Sequence, residues 1–429
     1  MSWWPFKKKA AASEQPKNEG SYPLTDSEKW EEFFGGGQTY AGQVVNPDTA
    51  MRASAVFACV RLISAAVACA PVKVYRRKGD LRERREIHPL AEMLRIRPNT
   101  FMTSATFWKA LMQDKLLRGN AYAQIIRRGG GAPVALMPLK AAHVTVYYAW
   151  ELGLDQKTGV ERNRLFYSVT FDDGNYQIID QDDVIHIPNV GWNGKYGIST
   201  VRAMAQTVGL ALGAEKSSAS FFENGMQSNI AIQYPGKFNP DAQVRLREHL
   251  QSRFGGASNH YKPLVLFEDG KVNTLSMTAE DAQLLESRKF SVIDICRFFG
   301  VHPVMIGENE KTSSFGGGIE QMGRWFNTLT LNEHFTAAEQ EMERKLFVDG
   351  CFAEFDESEI TRGDTATRAS YYSVMRGSMT QPQLLTVNEM RAAEGFAPIP
   401  GGDDLYKPEN PSAAAGADDK TGGGDATQQ

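Results

Sequence analysis

The sequence predicts an α+β fold. Six short β-type runs bounded by glycine and aspartate turns lie between residues 121 and 187, and three long stretches after 196 place apolar residues near a 3.6-residue spacing. At 429 residues the chain exceeds what one hydrophobic core usually serves, so two or three packed units are expected, and a hydrophobic content of 42% supports globular folding.

Residues 1–46 are rich in Lys, Glu, Gly and Ser with a few aromatics (Trp30, Phe33, Phe34), and read as a flexible arm ordered only where a neighbour covers it. A mixed α/β unit is predicted over 47–196. Its opening helix, Thr49 to Cys69, is stopped by Pro71, and a strand begins at Val72, Val74 and Tyr75 and turns at Lys78, Gly79 and Asp80. Helices follow from Pro89 to Ile96 and from Ser104 to Arg118, the second with Thr103 as N-cap. The six β runs are Ala121 to Arg127, Val134 to Pro138, Val144 to Tyr148, Leu165 to Phe171, Tyr176 to Ile179 and Val184 to Ile187. With turns at Gly129 to Gly131 and Asp172 to Asn175, they predict a meandering sheet with helices on one side.

One long helix is expected over 197–225, with Val201, Met204, Val208, Leu212 and Phe222 at helical spacing. Ala203, Gly209, Gly213 and Ser217 are among the small residues that let other backbones come close. Residues 226–277 read as a small α/β insert. Ile230 to Tyr234 is its first strand, Asn239 caps a helix with Pro240 at its first position, and Leu264 to Phe267 forms a hairpin with Val272 to Leu275 about Asp269 and Gly270. An insert this size holds a small core and should lean on a partner. A second long helix fills 278–301, opening at Thr278 and Asp281 and ending at Gly300, where His302 and Pro303 stop it. Residues 302–318 are a polar, glycine-rich loop. A third long helix opens the segment 319–406, marked by Ile319, Met322, Trp325, Phe326, Leu329, Phe335, Met342 and Leu346, and 407–429 read as a disordered tail. Two long helices therefore bracket a miniature module, and their sides call for neighbours beyond a single copy.

Lys plus Arg number 47 against 51 Asp plus Glu, a formal charge of −4, which argues against a protein that grips phosphate over its whole surface. Cys59, Cys69, Cys296 and Cys351 form no CxxC pair and read as buried small hydrophobes in a reducing compartment. Met1 to Ala10 lacks the apolar core of a signal peptide. The apolar stretch Ala55 to Val72 carries Arg61 near its middle and reads as a core helix, so no membrane association is expected.

Local motifs add a resemblance. Val60 to Ser64 leading to Ala70, Pro71, Val72, Lys73, Val74 and Tyr75, then His88, Pro89 and Leu90, resemble the opening of the tailed-bacteriophage portal protein family, of the lambdoid long-tailed type. Gly119, Asn120, Ala121 and Tyr122 are similar to its GNAY stretch; Asp183 to His186 with Gly197, Ile198 and Ser199 resemble its approach to the stem; and Cys296 to Pro303 with Ile306 and Gly307 resemble the segment before its tunnel loop. Arg362, Asp364, Gly377, Asn388, Glu389, Arg391, Gly395, Pro398, Gly401, Gly402 and Asp403 resemble its closing pattern. Thr200 stands where a proline is common, and extra residues around Gln381 to Leu385 precede Asn388. The resemblance covers about residues 47–405.

It implies a portal fold: an α/β wing at 47–196, stem helices at 197–225 and 278–301, a clip at 226–277, a tunnel loop at 302–318, and a long helix with wing return and crown-like helices at 319–406. It further implies a ring, usually of twelve subunits, at one capsid vertex of the virion, assembled in the host cytoplasm. Double-stranded DNA would pass through it, while the terminase large subunit, a head-tail adaptor and the major capsid protein dock on it. Lys311, Thr312, Ser313 and Ser314 of the tunnel loop are candidates to face DNA. Lys237, Arg245, Arg253, His260 and Lys262 of the clip are candidates for terminase and adaptor docking. The arm's aromatics are candidates to dock on a neighbouring subunit.

Enzymatic readings find little support. Neither a GxxxxGK[ST] phosphate loop nor HExxH nor GxSxG occurs. A metal-dependent DNA-processing enzyme would need clustered carboxylates, and Asp172 with Asp173 and Asp182 with Asp183 fall at predicted turns, where aspartate is common. Glu333, His334, Glu339, Glu341 and Glu343 read as a solvated helix face. No cofactor is expected. Another head-morphogenesis scaffold protein is the remaining alternative, and a central hole in negative-stain images separates it from a portal.

Overall fold

The computed structural model describes residues 39–79, 81–85, 87–171, 173–224, 230–233, 244–245, 271–274, 290–308, 318–348, 350–361, 365–377 and 383–405. The chain forms two compact units, one of Met1–Ser313 with Trp325–Glu357 and the other of Ser314–Arg324 with Ser358–Gln429.

The larger unit opens with α1 (Pro47–Ala50), where Asn46 and Thr49 cap reciprocally. The chain leaves helical dihedrals at Ala53 (ψ 120) before α2 (Ser54–Cys69), so the single helix expected from Thr49 is two. α2 buries Val56, Cys59, Val60, Ile63 and Val67, one stripe at helical spacing, and packs on α4 (Ser104–Arg118), which Thr103 caps as expected. Cys69, at the exposed end of α2, departs from the buried reading. α3 (Pro89–Arg95) precedes α4 and takes His88 as its cap, the ring Nδ1 accepting from Leu90 N at 3.1 Å.

The expected meandering sheet is two sheets. β3 (Asn120–Arg127) lies between β4 (Pro133–Leu139) and β8 (Val184–Pro188), whereas β5 (Val144–Tyr148), β6 (Leu165–Thr170) and β7 (Tyr176–Asp180) form a separate antiparallel meander, with the short α5 (Leu154–Thr158) between β5 and β6. Asp180 caps a 3-10 turn at Gln181–Asp183, which carries the chain away from β7 and returns β8 to β3. Tyr122, Val144, Val146, Tyr167, Val169, Ile179 and Val184 share one core between the two sheets. A third sheet joins β1 (Val72–Lys78) and β2 (Leu81–Arg84) with β11 (Cys351–Phe355), a strand the sequence reading does not assign.

The expected long helix starts at α6 (Thr200–Ala203), is interrupted where Met204 turns to φ −103 and ψ 18, and continues as α7 (Ala205–Asn224). β9 (Ile230–Gln233) pairs antiparallel with β10 (Lys271–Thr274), so the second half of the expected hairpin has β9 as a partner; Leu264 to Phe267 and the Asn239 cap lie outside the described residues. Helix α8 occupies 290–299 and closes at Gly300 (φ 65); its expected start at Thr278 lies outside the described residues. His302 caps a 3-10 turn at Pro303–Ile306.

The third long helix is continuous from 318 to 346 as α9 (Gly318–Phe326), a π-helical turn at Asn327–Leu331 and α10 (Asn332–Leu346). Within the larger unit, α10 packs on both β8 and β11. The smaller unit holds α11 (Ser358–Thr361), α12 (Thr365–Met375) and α13 (Val387–Ala393).

Candidate functional site

The motifs Gly119-Asn120-Ala121-Tyr122, Val184 to His186 and Gly197-Ile198-Ser199 meet at the root of the long helix. α4 ends at Gly119 in a left-handed conformation (φ 84), which glycine adopts without steric cost. A methyl group at Gly119 would lie 2.6 Å from the Gly197 carbonyl oxygen, and one at Gly197 would lie 2.4 Å from the Asn189 nitrogen. Both glycines are therefore required by close approach of backbone to backbone.

Asn120 binds the two segments together. Its Nδ2 donates to Gly197 O (3.1 Å) and its Oδ1 accepts from Gly197 N (2.8 Å), while Asn189 N donates to Gly119 O (2.9 Å). The amide orientation fixes the adjacent histidine. Because Oδ1 is an acceptor, His186 Nε2, 3.0 Å away, must carry the proton, and Nδ1 then accepts from the Tyr167 hydroxyl at 3.1 Å. Burial, reinforced by the Lys345 charge, holds His186 down to about 3, so the ring is neutral.

The helix start is anchored in the same way. Ser199 Oγ accepts from Arg202 N (3.2 Å) and donates to Leu117 O (2.6 Å), which joins the N-cap of the long helix to the end of α4. Asn189 Nδ2 reaches Ile198 O (3.2 Å) and Thr200 Oγ1 (2.9 Å), so Thr200 takes part in the joint where the related pattern favours proline. A cavity of about 130 Å³, with Arg118, Tyr122, Tyr196 and Arg202 in its wall, adjoins this joint.

Higher on the helix, part of the arm lies along its small residues. Tyr40 N donates to Gln206 Oε1 (3.0 Å), a methyl at Gly209 would collide with Thr39, and one at Gly213 would lie 3.3 Å from the Ala41 side chain. The expectation that these small-residue faces need another copy is thus corrected for Gly209 and Gly213, which the same chain covers.

Two contacts brace the unit, the first of them buried. Lys115 Nζ lies 2.8 Å from His334 Nδ1, and burial lowers Lys115 to about 8 and His334 to about 3. In the π-helical turn, Thr330 Oγ1 donates to Gly300 O at 2.5 Å, tying the third helix to the end of α8. No local sequence signal announces this turn.

The face expected to be solvated, residues 333–343, is corrected in part. His334 is buried, Glu339 Oε1 accepts from Phe355 N (2.7 Å), Glu341 pairs with Lys345 and Glu343 with Arg77. These carboxylates bond to neighbouring strands and cations because α10 packs between β8 and β11. Asp182 and Asp183 bind Arg164 and Arg127, and Asp172 lies outside the described residues. Among the described residues no group of three or more His, Cys, Asp or Glu could hold a metal ion, and no helix is long and apolar enough to cross a membrane. Arg245 is exposed in a helical turn at 244–245. Lys311, Thr312, Ser313, Ser314, Lys237, Arg253, His260 and Lys262 lie outside the described residues. The joint about Asn120 can hold a long helix at a fixed attitude to two sheets, and its neutral, fully bonded histidine is suited to structure.

Residues 54–395 match the family model described as phage portal protein. The portal protein of Enterobacteria phage HK97 is 32% identical over 367 residues, covering 84% of this chain and 82% of that one. The probable portal protein of Streptomyces phage phiC31 is 29% identical over 371 residues, covering 84% of this chain and 78% of that one. Among solved structures, a chain in the neck of a native gene transfer agent particle, computed with twelvefold symmetry, shares the fold at a TM-score of 0.54 and 21% identity, over 87% of this chain and 99% of that one.

Proposed function

This chain belongs to the phage portal protein family, and on that premise we propose that it assembles into a ring of twelve subunits at one capsid vertex, through which double-stranded DNA enters and leaves. The observation that carries the reading is the span of the family match, 54–395, together with the convergence of its separate motifs on the root of the long helix. A conduit must keep its lining helices at a set attitude while a polyanion moves past them. The joint built from Gly119, Asn120, His186 and Gly197 suits that demand, and a formal charge of −4 suits a channel that guides DNA without retaining it.

The family is structural, and no catalytic step is assigned to this chain. Segment 226–277 is the proposed docking module for the terminase large subunit and later the head-tail adaptor, through Lys237, Arg245, Arg253, His260 and Lys262. The α/β unit at 47–196 is the proposed contact to the major capsid protein. Lys311 to Ser314 are proposed to face the lumen, and Lys311→Ala is expected to lower packaging efficiency or DNA retention. Assembly takes place in the host cytoplasm, before incorporation into the virion.

Negative-stain images and a mass measurement of the assembled particle test the reading. Rings with a central hole and the mass of twelve chains are expected; a single copy that stays unassociated at high concentration would sink it.

A further inference from the structure

Of the strand edges in the larger unit that lack a partner strand among the described residues, two carry opposite charge. β2 ends the order β11-β1-β2, and between residues 72 and 87 stand seven Lys or Arg against three Asp or Glu. Arg76, Lys78 and Arg84 are exposed there, while Arg77 and Arg82, held over the Phe352 and Tyr75 rings at 5.1 Å, also pair with Glu343 and Glu354. Ile87, just after β2, is fully exposed. So is Val348, which adjoins Phe347, whose ring lies 5.6 Å from that of His88. A pair of bare aliphatic side chains thus accompanies the basic edge.

β7 ends the order β5-β6-β7, and residues 172–183 contain five Asp and no Lys or Arg. Arg164 takes up Asp180 and Asp182, Arg127 takes up Asp183, and Asp173 bonds Asn175 within its own turn. Tyr176 and Ile178, two residues apart on one face of the strand, are 60% and 39% exposed. An exposed edge strand with apolar side chains is a template for pairing unless something covers it.

The two edges terminate one succession of contacts. β2 pairs with β1 and β1 with β11; β11 packs on α10 and α10 on β8; β8 pairs with β3, and their sheet shares its core with β5-β6-β7. We propose that in the assembled ring the acidic β7 edge of one subunit docks against the basic β2 edge of the next, with Tyr176 and Ile178 meeting Ile87 and Val348. The inference rests on the ring reading above and deepens it by naming the contact. A closed ring of rotated copies needs two different, complementary patches on each subunit. Like charge rejects β2 against β2 and β7 against β7, which disfavours isolated twofold dimers.

Charge reversal of the full chain tests the pairing. Lys78→Glu with Arg84→Glu reverses the charge at two exposed positions of the basic edge; Asp173→Lys with Gln177→Lys places positive charge at two exposed positions of the acidic edge. Each variant alone is expected to lose ring assembly at least about tenfold, read by negative stain and particle mass, with an unchanged far-UV circular dichroism spectrum. Mixing the two in equal amounts should restore rings, because alternating subunits again set opposite charges against each other at the substituted positions of every contact in an even-numbered ring. Should a double reversal disturb folding, Lys78→Glu and Gln177→Lys as single changes ask the same question with smaller losses. Rings formed by either folded variant as readily as by the unaltered chain, or a mixture that stays unassembled, would overturn the pairing and leave the ring reading intact. Failure of the unaltered chain to form rings would overturn the ring reading itself.

Discussion

Asn120 in the larger unit and Asn388 in the smaller one perform the same chemical operation at different range. Asn120 binds the backbone of Gly197 in both directions and also meets His186, so one amide joins three segments. Asn388 donates to Ile399 O (3.0 Å) and Asp403 Oδ1 (2.9 Å) and accepts from Ile399 N (2.8 Å), while its own N–H reaches Gly402 O. A methyl at Gly402 would lie 2.5 Å from Asn388 Oδ1, as one at Gly197 would collide with Asn189. The smaller joint closes a loop of little more than ten residues, whereas the larger one fastens the start of a long helix to strands far away in sequence. The same side chain therefore holds a local turn in one unit and the placement of an element in the other.

The largest expected effect is at Asn120. Asn120→Ala leaves Gly197 N–H, Gly197 C=O and His186 Nε2–H buried without their partner, at roughly 1–3 kcal/mol each, so a loss of about 4 kcal/mol is expected in denaturant unfolding of the larger unit. Ring assembly should fail along with it. A loss under about 1 kcal/mol, the scale of an ordinary surface change, would show that the long helix does not depend on this joint.

Acid should separate the two regions next. His186 and His334 are held near 3 by burial against an ordinary value near 6.5, so between these pH values the unfolded chain binds more protons than the folded one. Their contribution is complete above about pH 6.5 and is lost as pH falls, by roughly 2 kcal/mol for each between pH 6.5 and 5. The smaller unit's segments contain no histidine. Hydrogen exchange at pH 5 should therefore show early loss of protection around 120 and 186 and retention around 388 to 402. Equal loss in both would break the contrast.

These two joints also mark what the sequence makes legible. Gly119-Asn120-Ala121-Tyr122 and Asn388-Glu389 both stand out as family-like motifs, and most helices and strands lie within a few residues of where periodicity and caps put them. The contact between Asn120 and Gly197 was not readable, because nothing local to either residue states which distant backbone its bonds will meet. The division of one sheet into two turned on a 3-10 turn capped by Asp180, a residue equally at home in a hairpin. Strand β11 was missed because its partner β1 lies at the other end of the unit's sequence. The arm's seat on Gly209 and Gly213 could be anticipated as a close approach by some backbone, but not by which one. Caps, by contrast, need only three or four adjacent residues, and Thr103 was found from those alone.

In the smaller unit the expected losses are lesser and can be apportioned. Asn388→Ala removes the partners of Ile399 N–H and Ile399 C=O, and about 2 kcal/mol is expected, less than for Asn120 because two groups rather than three are left without a partner. Its readout is exchange at residues 396–403, with the larger unit's unfolding transition unmoved; a shift of that transition as large as the one from Asn120→Ala would erase the distinction between local and long-range joints.

The smallest change belongs to the cap that orients Asn388. Thr386 Oγ1 accepts from Glu389 N (3.1 Å), and Glu389 Oε2 accepts from Thr386 N (2.8 Å), a reciprocal pair at the start of α13. Thr386→Ala deletes only the first bond, since the backbone N–H remains for Glu389, so a loss of about 1 kcal/mol is expected. Adding Asn388→Ala to it should cost less than the two changes made separately, because the cap acts on the turn largely by presenting Asn388 to Ile399. Strict additivity in that double-mutant cycle would mean that Asn388 finds Ile399 unaided, and that the cap stabilises its helix and nothing beyond it.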